Sequence, residues 1–115
     1  MADITIAQLS AELPSNCIVL NGGSATLDLN LLSGESSIVS GTGISESIHK
    51  LLTGCEKAQA TYNLNKASSQ PTIDAFPELF ASTPSLVDDV LISQITHTVN
   101  VVAPINTDNI TALTK

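Results

Sequence analysis

The sequence predicts a small α+β domain. Helical and alternating apolar patterns are interleaved along the chain, so neither class of element accounts for it alone. Gly- and Pro-bearing turn signals separate the patterned stretches. At 115 residues the chain fits one domain with a modest core.

The first element expected is a short helix over 4–13, with Ile6, Leu9 and Leu13 on one side and Pro14 as its stop. Cys17-Ile18-Val19-Leu20 suits a buried strand, and Asn21-Gly22-Gly23 is a strong turn signal. Leu27, Leu29 and Leu31 then alternate with Thr26, Asp28 and Asn30, which predicts a half-wet strand. Ser33-Gly34-Glu35-Ser36 turns the chain and 37–40 returns, completing an antiparallel β-meander of three strands.

Ile44, Ile48, Leu51 and Leu52 share one helical face, with Glu46 four residues before Lys50. Gly54 stands where a C-terminal cap is expected. Beyond it Ala58, Ala60, Tyr62 and Leu64 alternate with polar residues, and 57–65 reads as a strand, with a continued helix as the alternative. Residues 66–84 carry Pro71, Pro77 and Pro84 and form a long connection. Thr83 and Pro84 look like a helix start with Asp88-Asp89 in its first turns. Ile95, His97, Val99 and Val101 alternate with Thr96, Thr98 and Asn100 as a final strand, ended by Pro104. The expected organisation is a single α+β domain over 1–104, with two or three short helices and Thr/Asn-rich strands, and a tail or assembly arm over 105–115.

Composition limits function. The chain has no arginine and four lysines against eleven carboxylates, a net charge of −7. Nucleic acid and anionic membrane surfaces are disfavoured partners, because both are gripped by Lys and Arg. Charged residues make up 13%, about half of the roughly 25% usual for soluble domains. Charge depletion is a property of interface cores. No signal peptide or membrane span is evident, which leaves a cytoplasmic or virion-assembled protein as the expected location. Cys17 and Cys55 make no disulfide framework and are expected reduced and buried.

Chemistry-bearing motifs are sparse. Gly41-Thr42-Gly43 lies before a helix, but Glu46 replaces the third glycine of a dinucleotide loop, and a strand-to-helix turn is the better reading. His97 is a candidate general base, weighed against a neutral core histidine held by one hydrogen bond. His49 is placed at a surface boundary. A Cys55–His49 dyad is neither supported nor excluded by spacing. The scatter of Cys17, His49, Cys55 and His97 matches no paired zinc spacing, so no metal, cofactor or catalytic residue is assigned. Asp88-Asp89 supplies too few oxygens for a hard cation.

These features favour a non-enzymatic structural subunit. Its partners would be copies of itself or a larger protein assembly, such as a phage capsid-decorating or tail component of a virion. An acidic adaptor or inhibitor that binds a basic protein surface is the alternative, and a small enzyme using His97 or Cys55 the third reading.

Overall fold

The structure is a computed structural model, described here for residues 3–101. Three helices and three two-stranded antiparallel sheets give the mixed α+β architecture.

Helix α1, Ile6–Ala11, opens with a capping box. The Gln8 amide donates to Thr5 Oγ1, and the Gln8 side chain accepts from the Thr5 N–H. Strands β1 (Ile18–Asn21) and β2 (Ser24–Leu27) form a hairpin about the anticipated turn, but β1 is not the buried strand expected: Val19 and Leu20 are exposed, and Cys17, just before it, is the residue buried. Gly22 and Gly23 have φ of 57° and 89°, the left-handed pair that a two-residue turn of this kind requires.

The three-stranded meander is not formed. Leu29–Ser33 is a helical turn, α2, and 37–40 is irregular. Local capping outweighs the alternation: Asp28 accepts from the Leu31 N–H at 3.1 Å, and Gly34 closes the turn at φ 79°. Leu32, outside the alternating set, is the leucine that α2 buries.

Helix α3 is the axis of the molecule and runs over Ser45–Asn65, through both Gly54 and the segment expected as a strand. The alternation over 57–65 marked no face: Ala58 is buried, Ala60 exposed, and Leu64 is 84% exposed. Gly54 is present for contact. A Cβ there would stand 2.7 Å from Leu13 Cδ2 and 3.4 Å from Leu9 Cδ1, so the missing side chain lets the start of the chain lie against α3. Leu9, Leu32, Cys55 and Ala58 make the core between α1, α2 and α3, with Cys17 below the hairpin. No described helix is long and apolar enough to cross a membrane.

Beyond 66 the chain is extended and then forms small sheets. Strand β3 (Phe80–Ala81) pairs with β6 (Ile95–Thr96), and β4 (Ser85–Val87) pairs with β5 (Val90–Ile92). The helix expected from Thr83 is therefore absent. Asp88 and Asp89 are instead the turn of the β4–β5 hairpin, at φ 49° and 66°, a region Asp tolerates better than most residues. The last strand is shorter than its alternation suggested, since ladder pairing stops at Thr96. The tail 105–115 lies outside the described residues.

Two substitutions test the Gly54 contact. Gly54→Leu overpacks the α1–α3 contact and lowers stability in urea unfolding by about 1–3 kcal/mol. Gly54→Ala stays near neutral: its clash falls on the movable end of Leu13, and about 1 kcal/mol of helix propensity offsets the shift.

Candidate functional site

One face of α3 carries polar side chains three and four residues apart: Glu56, Gln59 and Asn63. Each takes hold of the extended chain that follows. Asn63 donates to Ile73 O at 3.0 Å and accepts from Ile73 N at 2.9 Å. Gln59 makes the same two-bond grip on Phe76, both bonds 2.8 Å. Glu56 Oε1 accepts from Leu79 N at 2.8 Å, and Tyr62 donates its hydroxyl to Pro71 O at 3.1 Å. A carboxamide presents one donor and one acceptor side by side, so it pairs with a backbone as a neighbouring strand would. Ile73, with 1% of its surface exposed, is the apolar anchor of this grip.

The second oxygen of Glu56 starts a relay. His97 Nδ1 lies 2.8 Å from Glu56 Oε2, and His97 Nε2 lies 2.8 Å from His49 Nδ1. The ring centroids are 5.1 Å apart, tilted by 49°. The carboxylate fixes the tautomers: it can only accept, so His97 carries its proton on Nδ1. In the neutral imidazole His97 Nε2 then accepts, and His49 donates from Nδ1. This leaves a lone pair on His49 Nε2. No buried side-chain nitrogen or oxygen among the described residues lacks a partner, so that atom reaches solvent. His49 also lines an open cavity of about 370 Å³ together with Glu12, Lys50, Thr53 and Lys57. Chemically the relay can move a proton between Glu56 and the His49 edge of this cavity.

The anticipated site residues fall out unevenly. His97 is held by two side chains, 41 and 48 residues away in sequence, and not by one hydrogen bond. Both histidines stood out in the sequence and Glu56 did not; its signal was the polar spacing 56, 59, 63, which straddles the start of the run expected as a strand. No hydrogen bond joins Cys55 to His49 among the described residues, and His49 Nδ1 is engaged by His97. Cys55 is buried, and burial pushes its thiol above the ordinary 9.0, with the charges of Asp3 and Glu56 adding to it. Burial likewise raises Cys17, ahead of the Asp28 charge. Both are poor nucleophiles. Gly41-Thr42-Gly43 is an exposed turn in which Thr42 accepts from the Val39 N–H at 3.0 Å. Among the described residues no three His, Cys, Asp or Glu are grouped to hold a metal ion. No known protein family, curated protein or solved structure matches this chain.

Glu56→Gln inverts the relay. The new amide donates to His97 Nδ1, which moves the His97 proton to Nε2 and turns His49 Nδ1 into the acceptor. Nitrogen-15 shifts of both imidazoles should exchange their protonated positions; unchanged tautomers would refute the assignment. The thiols give a second test. Their raised pKa values mean that the unfolded state ionises first, so stability is retained below pH 9.0 and declines as pH rises past it. Alkylation of folded protein at pH 8 should be slower than of unfolded protein by at least about tenfold.

Proposed function

We propose that the protein is a non-enzymatic assembly subunit whose partners are copies of itself, of the kind that builds or decorates a virion lattice. The β4–β5 hairpin carries this reading. Its register sets Leu86 opposite Leu91 on one face, exposed by 66% and 71%. Val87 lies opposite Val90 on the other face, next to Ile92, and these three are also exposed. An isolated two-stranded hairpin is marginal in water, and one that is apolar on both faces and open at both edges has no stable use in a solitary chain.

Bare strand edges offer backbone pairing and the apolar faces offer burial, which is β-augmentation between copies. Partner choice need not involve arginine or any phosphate.

Multi-angle light scattering tests the proposal. The wild-type chain should run as an oligomer, and Leu86→Asp with Leu91→Asp should weaken association by about tenfold or more while leaving the helical circular dichroism in place. A wild-type chain at monomer mass over the whole micromolar to millimolar range would overturn it.

A further inference from the structure

The manner in which the two halves of the chain are joined specifies how copies would meet. Among the described residues no sheet links those before 66 to those after 70: β1–β2 lies wholly in the first part, and β3–β6 and β4–β5 wholly in the second. Among the described residues, every hydrogen bond between the two parts comes from an α3 side chain, namely His49, Glu56, Gln59, Tyr62 or Asn63. The second part is also closed on itself. Asn100 N donates to Ala75 O at 2.7 Å and its side chain to Asp74 O at 3.1 Å. The Ser82 and Gln94 backbones join at 2.8 Å. Residues 71–101 thus form an arm that docks on α3 as a unit.

We infer that this arm exchanges between copies, so that residues 71–101 of one chain dock on the α3 stripe of a second chain and the reverse. The inference rests on the assembly reading and adds to the β4–β5 contacts a second contact, made within each exchanged pair. Contacts made in exchange are identical to those made within one chain, so exchange sacrifices none of the grips at Ile73, Phe76, Leu79 and His97. What must change is the hinge. It is a single tight turn, Ala67-Ser68-Ser69-Gln70, closed by Gln70 N to Ala67 O and by Ala67 N to Gln70 Oε1, both 2.9 Å. Pro71 follows directly and disfavours helical backbone at Gln70, so α3 does not continue through the turn. Opening this turn costs two exposed hydrogen bonds, which water replaces.

An exchanged pair also acquires a new contact where the two opened hinges pass each other. Leu64 is the penultimate residue of α3, beside the hinge, and at 84% is the most exposed large apolar side chain described. None of the described residues covers it. In the exchanged pair it stands at the crossing point, facing the same residue of the second copy. That contact favours exchange over intrachain docking, which otherwise benefits from a high effective concentration across a short hinge.

Cross-linking decides the matter. The probe is Gln59→Cys with Phe76→Cys, in a Cys17→Ala, Cys55→Ala background, treated after assembly with a short bis-maleimide and run on a denaturing gel. The Gln59 side chain reaches the Phe76 backbone, so the two thiols lie within the span of such a linker wherever the arm docks. Exchange yields covalent dimers; intrachain docking yields monomers only. A second pair of variants alters the hinge and leaves the grips untouched. Deleting Ser68 and Ser69 should tighten dimerisation by on the order of tenfold, and inserting six Gly/Ser residues should weaken it to a similar extent. A native oligomer whose cross-links are all intrachain, with no response to hinge length, overturns exchange and leaves the assembly reading intact. A native monomer overturns both.

Discussion

The structure depends on one interaction: the polar stripe of α3 gripping an extended backbone. Glu56, Gln59 and Asn63 satisfy the amides and carbonyls of 73–79 that a sheet would otherwise have to satisfy. A chain with three aromatic residues cannot hold its second half by bulk burial. Ile73 is the one large side chain of that segment that is fully buried. Individually these hydrogen bonds contribute only about 0.5–1.5 kcal/mol net. Their value lies in position, since a helix fixes its side chains at 3.6-residue spacing and so fixes where the arm can lie.

The same stripe explains why α3 must be long. A helix that stopped at Gly54 would lose Glu56, Gln59, Tyr62 and Asn63, and with them every attachment except the His49–His97 contact. Gly54 then carries a cost of about 1 kcal/mol in propensity for a different purpose, the close approach of Leu9 and Leu13. Two demands meet on one helix: an apolar side taken by α1 and α2, and a polar side taken by the arm. Lys50 belongs to the first group. Its ammonium donates to Ser33 O at 2.7 Å, and this does more to place α2 than its exposed 3.8 Å pairing with Glu46.

Sequence patterning exposed the α+β class, α1, the β1–β2 turn and the first half of α3. In each, a local signal and the tertiary packing agree. It misled where local chemistry and hydrophobic alternation conflict. Asp28 and Gly34 cap a helical turn through a leucine alternation, and Asp88-Asp89 makes a hairpin where Thr83-Pro84 resembles a helix start. The error over 57–65 has another origin. Alternation counts apolar residues, whereas this stretch is organised by polar ones that act on backbone far along the chain. His97 and His49 were visible as residues, but their partnership depends on a fold that brings positions 48 apart within 2.8 Å.

The absent arginines acquire a physical meaning from this arrangement. Amide-to-backbone grips need no charge, read no side chain and tolerate any sequence that can lie extended, so they hold an arm from the same chain or from another copy equally well. A charged clamp would require a complementary charge on the arm and would weaken with salt. The one acid–base pair among the described attachments, Glu56 with His97, has His49 on its far side and is largely buried, with 16% and 10% of the two side chains exposed. Low charge and a self-contained arm thus accompany an attachment whose specificity is placed in backbone geometry.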